Sequence, residues 1–180
     1  MNPIEEQEML ESLTILVDTR EQPTERAAKR YKAFGVPYKR ATLSYGDYTY
    51  NAKLPSGEWL FPEGQMVAAP IVIERKMNLD ELAQCFTRSR DRFEREFERA
   101  KANNARVFLL VENATWENLI NGRYRSKYNP VAFLASLCAW IVRYNLQFIN
   151  CKEETSGKII KEVLYRDLKE RISRGEYDTG

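Results

Sequence analysis

Ile71–Asp80 reads IVIERKMNLD, and the chain is organised around it. Ile71, Val72 and Ile73 form a β-branched apolar run, the composition of a strand entering a core. Glu74, Arg75 and Lys76 follow at once, and Asn78 then stands as a helix N-cap with Glu81 three residues on. Successive side chains of a strand point to opposite faces, so Glu74 and Lys76 share one face and Arg75 takes the other. A carboxylate beside an ammonium at the end of a buried strand suits metal-assisted chemistry on a phosphodiester. The carboxylate would hold a divalent cation, and the lysine would steady an attacking water or the charge growing on the phosphate.

Upstream, Leu13–Val17 (LTILV) predicts a buried strand that ends in Asp18-Thr19-Arg20-Glu21. Residues 1–12 predict a tail or a short helix starting near Pro3. Thr24 caps a helix predicted over Glu25–Phe34, and Gly35 stops it. Val36–Leu43 and Asp47–Asn51 predict the next two strands, joined by the turn Ser44-Tyr45-Gly46. Leu54–Gly57 is a hairpin-like loop with Glu58–Phe61 as its returning strand, and 62–70 is an excursion.

Downstream, Leu79, Leu82, Ala83, Phe86, Phe93, Phe97 and Ala100 recur at helix spacing over 78–103, with a bend or break at Thr87–Ser89. There follow a strand at Arg106–Val111, a short helix at Trp116–Ile120 and a basic loop at Gly122–Asn129. An apolar helix opens at Pro130 and runs to Tyr144. A last strand at Leu146–Asn150 and an amphipathic helix at Thr155–Ser173 complete a single domain over 13–174, and 175–180 are expected to fray. Strands that alternate with helices and carry continuous apolar runs predict an α/β sandwich with a mixed, partly parallel sheet.

Composition narrows the chemistry. Apolar residues make up 43% of the 180 residues and aromatics 12%, as in soluble globular proteins. No apolar stretch reaches the roughly 20 residues of a membrane span. The acidic N-terminus, MNPIEEQEMLESL, is unlike a secretory signal, so a cytoplasmic setting is expected. Cys85, Cys138 and Cys151 fit neither a disulfide framework nor a zinc site and read as small buried apolar residues. The chain has no histidine, which removes His-based nucleophile schemes and His-ligated metals. Carboxylates, lysine and tyrosine are left for acid–base and metal work. The net charge of +2 argues for no partner by itself.

Three acids fall at ends of separate predicted strands: Asp18, Asp47 and Glu74. Each alone reads equally well as a solvated or ion-paired strand-end charge. Together, at the sheet edge where ligands bind, they would attract Mg²⁺ or Mn²⁺, and Lys76 adds an amine to them. Arg88, Arg92, Arg95 and Arg99 lie on one side of the 78–103 helix, as a ridge for DNA phosphates would. Asp91, Glu94, Glu96 and Glu98 interleave with them, so a salt-bridged solvent face, with Asp91–Arg95 as one pair, is the other reading. Arg123, Arg125 and Lys127 alternate with Tyr124 and Tyr128, which suits a nucleic-acid contact or an ordinary polar loop. Ser156-Gly157-Lys158 lacks the rest of a phosphate loop and reads as a helix N-terminus.

Val17-Asp18-Thr19-Arg20-Glu21, then Gly46-Asp47, then Glu74-Arg75-Lys76 with Asp80 four residues later, resembles the signature of the XPF-type structure-specific endonucleases. These form a branch of the restriction-endonuclease-like, PD-(D/E)xK superfamily. The likeness continues through Arg92-Phe93 and Val107–Glu112 and covers roughly residues 13 to 172. It implies a three-layer sandwich with a mixed central sheet flanked by helices. It also implies metal binding by Asp47 and Glu74, helped by the main-chain carbonyl of Arg75, with Lys76 as the catalytic lysine. Asp18, Arg20 and Glu21 would act in or beside the metal shell. Arg92 would position DNA.

The expected activity is Mg²⁺-dependent DNA endonuclease, with Mn²⁺ a substitute, acting on branched or flap-like DNA in repair, recombination or replication. The family also has inactive partners, so a non-catalytic DNA-binding or scaffold subunit is the alternative. The residues such partners lose are all present here. Glu96 stands where relatives often carry Gln, and the stretch between Asp47 and Glu74 is long. The sequence carries neither a tandem helix-hairpin-helix module nor a helicase region. The resemblance implies dimerisation of nuclease domains through late helices, so a homodimer or a partner subunit is expected.

Overall fold

The computed structural model describes residues 1–178. Its strands are β1 (Thr14–Asp18), β2 (Tyr38–Ala41), β3 (Tyr48–Asn51), β4 (Ile71–Lys76), β5 (Arg106–Glu112) and β6 (Gln147–Cys151). Its helices are α1 (Pro3–Glu11), α2 (Glu25–Ala33), α3 (Leu79–Phe86), α4 (Arg90–Ala102), α5 (Trp116–Ile120), α6 (Pro130–Tyr144) and α7 (Glu153–Ser173). The strands form one sheet in the order β2-β1-β3-β4-β5-β6. β2 runs parallel to β1, β3 is antiparallel to both β1 and β4, and β4, β5 and β6 run parallel. The sheet is mixed, as expected.

Period-two alternation along the strands divides the core into two layers. On one face Val72, Leu109 and Val111 pack under α3, α4 and α6, and Leu16 continues the same layer beside Leu43 and Val67. There Phe86, Phe93, Phe97 and Phe133 gather around Trp140, and the Phe93 ring stacks on the indole at 4.9 Å. On the other face Ile15, Val17, Ile71, Ile73 and Leu110 meet α1, α2 and α7. The α2–α7 contact is close because Gly157 faces α2: a Cβ there would lie 2.4 Å from the Arg30 carbonyl oxygen. The Ser-Gly-Lys stretch thus belongs to helix packing.

The structure departs from the sequence reading at several boundaries. At Thr87–Ser89, where a bend or break was expected, the 78–103 helix breaks fully into two. The Thr87 hydroxyl donates to the Ala83 carbonyl at 2.9 Å, and the Gln84 carbonyl accepts from both Thr87 N–H and Ser89 N–H. These local bonds compete with the helical ladder and end α3. Phe86 and Phe93 stay in contact across the break. Val36–Leu43 yields only the four residues of β2. Glu58–Phe61 makes no strand, only a single bridge between Lys53 and Trp59. α7 starts two residues early, at Glu153, because two acids in its first turn favour the positive helix end. Residues 175–178, expected to fray, are held in place: the Tyr177 and Tyr50 hydroxyls are 3.1 Å apart, and Asp178 accepts from the amino terminus at 2.7 Å. Residues 179–180 of that expected tail lie outside the described residues. Cys138 is exposed, whereas Cys85 and Cys151 are partly buried. No helix among the described residues is long and apolar enough to cross a membrane.

Candidate active site

Gly46 places Asp47. Its φ of +75° and a Cβ that would lie 2.6 Å from the Cβ of Val72 admit only glycine. The tight turn then threads Asp47 between β1 and β4: Asp18 N–H donates to the Asp47 carbonyl, and Asp47 N–H donates to the Ile73 carbonyl, both at 2.9 Å. The Asp47 Oδ2 accepts from the Arg75 N–H at 2.7 Å, which fixes the carboxylate at the end of β4.

Alternation along β4 places Glu74 and Lys76 on the same face as predicted. Both are buried, and the Lys76 Nζ donates to Glu74 Oε1. The ammonium also lies 5.3 Å from the Phe93 ring centroid, a cation–π contact that seats it against α4. Burial followed by the Glu74 charge holds the Asp47 carboxyl well above the usual range. Burial likewise raises Glu74; Lys76 opposes the shift and Glu96 adds to it. Burial works against the Lys76 ammonium, but Glu74 and Asp47 outweigh it and hold its proton more firmly than in water. The site is a store of negative charge with one amine set into it.

A cleft of about 260 Å³ opens over these groups, and Arg20, Glu21, Arg75, Arg92 and Glu96 also line it. Asp18 is absent from that lining and is fully buried. Its Oδ1 accepts from Arg20 N–H and Nε, each at 2.7 Å, and its Oδ2 accepts from Leu43 N–H at 2.9 Å. Asp18, expected as a metal ligand, therefore has its lone pairs taken and acts by aiming Arg20. Among the described residues no group of three or more acidic or cysteine side chains is gathered to hold a metal. Two carboxylates meet, not three.

Arg20 reaches on to Glu96, with Nη2 3.3 Å from Oε1, and that oxygen also accepts from Gly46 N–H at 3.1 Å. Glu96 thus ties α4 to the glycine turn. Its position on the cleft side of α4 was not read as functional from sequence, although its departure from the family pattern marked it.

Arg75 emerges on the opposite face. Its Nη1 donates to Glu112 Oε2 at 3.1 Å, and Arg30 Nε donates to Glu112 Oε1 at 3.1 Å. Arg30 Nη1 reaches the Tyr48 hydroxyl at 3.2 Å, and that hydroxyl donates to Glu21 Oε2 at 2.6 Å. Glu21, implied as a site residue, closes this network while still lining the cleft. Nothing in the local pattern pointed to Arg30, Tyr48 or Glu112.

The expected DNA-binding residues divide. Arg88, in the break before α4, and Arg92 and Arg95, in its first turns, lie around one surface depression, and none has an ion pair among the described residues. The Asp91–Arg95 pair does not form. Arg99 turns away, its Nε donating to the Ser44 carbonyl at 3.0 Å. Arg125 and Lys127 join Arg88 along a groove that shares Glu81 and Gln84 with the cleft. Asp80 anchors that loop, its Oδ1 accepting from Arg125 N–H at 2.8 Å and Ser126 N–H at 2.7 Å. Arg123 is exposed and lies outside the groove lining. Burial pushes the Cys85 thiol, also in the cleft, up to about 12, so it is no nucleophile.

A mixed six-stranded sheet between two helical layers, with a cleft at the end of the glycine turn and a central strand, defines an α/β sandwich. Within that class the chain belongs to the ERCC4 domain family, whose model matches residues 17–163. Its fold is similar to the structure of XPF from Aeropyrum pernix, at 19% identity and a TM-score of 0.58 over 86% of this chain and 61% of that one. XPF from Aeropyrum pernix in complex with DNA matches at 20% identity and a TM-score of 0.58, over 88% of this chain and 66% of that one. The chain thus spans less than two thirds of either structure. No curated protein sequence matches it. The expected XPF-type nuclease domain and its α/β sandwich are borne out.

Proposed function

We propose that the chain is a divalent-metal-dependent DNA endonuclease domain that hydrolyses phosphodiesters on branched or flap-like DNA. The observation that carries this reading is the meeting of Asp47 and Glu74 with Lys76 on one side of an open cleft. The donor set fits a hard cation. Burial makes both carboxyls resist ionising, the Glu74 charge adding to it at Asp47, and Mg²⁺ is commonly held by one or two carboxylates with water completing its shell. Mn²⁺ would serve equally. The bound cation would polarise a phosphoryl oxygen and make a water more acidic.

The chain's own residues do the rest. Asp47 and Glu74 supply oxygens, the first held in place by the Arg75 N–H. Lys76, released from Glu74, would donate hydrogen bonds to the attacking water or to the phosphate. Arg20, aimed by Asp18, and Arg92 stand at the cleft for the strand's charges. Arg88, Arg125 and Lys127 would carry the flanking backbone. α6 leaves Val131 and Val142 exposed, a face for a second copy or a partner subunit.

A non-catalytic DNA-binding subunit is the second reading, favoured by the Glu74–Lys76 pair and the lack of a third acidic donor among the described residues. Titrating Mg²⁺ and Mn²⁺ against flap, fork, four-way and plain duplex DNA separates the two. The enzyme reading expects metal-dependent cuts on the branched substrates and little on plain duplex. Binding without cuts at any metal concentration selects the subunit reading.

A further inference from the structure

The half of the sheet formed by β2, β1 and β3 carries residues 52–70 over its cleft-side face where a helix covers the other half. Between that segment and the sheet lies a cavity of about 700 Å³, apart from the catalytic cleft. Its floor is polar as well as apolar, with Thr14 and Asn51 beside Leu16, and Trp59 and Phe61 form a wall. Both aromatics are only partly buried. Of the residues lining it, Lys39 and Arg40 are cationic and Glu63 alone is acidic.

Two ammoniums lie over the ring, and of these only Lys39 lines the cavity. Lys39 Nζ and Lys53 Nζ each lie 5.5 Å from the Trp59 ring centroid. Lys39 pairs with Glu63, but the two side chains are 52% and 74% exposed, so the pair is weak and a phosphate can take the place of the carboxylate. Arg40 Nη2 donates to the Thr19 carbonyl at 2.9 Å and the Glu21 carbonyl at 2.7 Å. The rim of this cavity is therefore bonded to the chain on either side of Arg20, which lines the catalytic cleft.

An indole face flanked by amines is what an unpaired nucleotide needs: the base stacks and the cations hold its phosphates. A volume in the range of small-ligand sites, about 300–1,000 Å³, admits a base and its sugar but no duplex. We propose that this cavity is a second nucleic-acid site, one that takes an unpaired DNA strand by stacking a base on the Trp59 face that lines it, with Lys39 moving from the ring to the phosphate. The choice of DNA rests on the endonuclease reading; the stacking site itself does not.

The test uses the full chain without metal, with fluorescein-labelled oligothymidylate and a labelled blunt duplex, read by anisotropy. Trp59→Ala and Lys39→Glu are each expected to weaken the oligothymidylate about tenfold, while the duplex changes by less than about twofold. Trp59→Phe, which keeps an aromatic face, is expected to stay close to wild type. Wild-type oligothymidylate affinity in both Trp59→Ala and Lys39→Glu would overturn the proposal. So would equal loss of both probes, because a stacking site acts on the unpaired strand alone. With labelled oligouridylate as a third probe, tighter binding to it than to oligothymidylate would overturn the assignment to DNA. Strand-selective loss in a protein that cuts no DNA would leave this site standing and reject the nuclease.

Discussion

Glu74→Gln and Lys76→Ala are each expected to lower single-turnover cleavage by about a hundred- to a thousandfold or more while DNA binding changes little. Glutamine keeps the shape of Glu74 and can still meet the Lys76 amine, but it removes the charge that would hold a cation. Alanine removes the amine placed beside Glu74 and over the Phe93 ring. Neither change touches Arg88, Arg125 or Lys127, which line the separate groove. Cleavage is read with excess protein, and binding by anisotropy in chelator. Cleavage at the wild-type rate in both variants would remove the chemistry from this strand end.

Glu112→Ala is expected to destabilise the fold by about 3–5 kcal/mol. Glu112 is fully buried and accepts from Arg30 and Arg75 together, so the change leaves two largely buried guanidinium groups with only the more distant Glu21 as counter-charge. Arg75 has little to fall back on, since its buried Nε has no hydrogen-bond partner among the described residues. Glu21 is its other carboxylate, 3.8 Å away and also shared with Arg30. The effect reaches the cleft because the Arg75 N–H fixes Asp47. Urea unfolding measures the loss as a lower midpoint at unchanged slope. A shift below about 1 kcal/mol would mean that the network contributes no more than an exposed ion pair.

Much of the architecture was legible in the residues because its signals are local. LTILV and IVI are apolar runs that mark strands, and the Leu79-to-Ala100 spacing put one helical stretch over a single face, with its bend or break expected at Thr87–Ser89 where α3 gives way to α4. The Glu74 and Lys76 pairing followed from strand alternation alone. What stayed hidden depends on partners far apart in the chain. Arg30 and Glu112 are 82 residues apart, and neither lies in a pattern that names the other. Asp18 looked like a ligand because it ends a strand; the Arg20 bonds to it are local, but the Leu43 N–H that occupies its other oxygen arrives only once β1 lies beside the chain that follows β2. The cavity under 52–70 was equally out of reach, since no periodicity marks a segment that crosses a sheet without joining it.

Calorimetric titration of Mn²⁺ into the wild-type chain, Asp47→Asn and Glu74→Gln tests the centre most directly, because it needs neither DNA nor turnover. A cation held between Asp47 and Glu74 predicts saturable binding to the wild type, lost or weakened at least about tenfold in each variant. Wild-type affinity in both variants would place the metal elsewhere and contradict it.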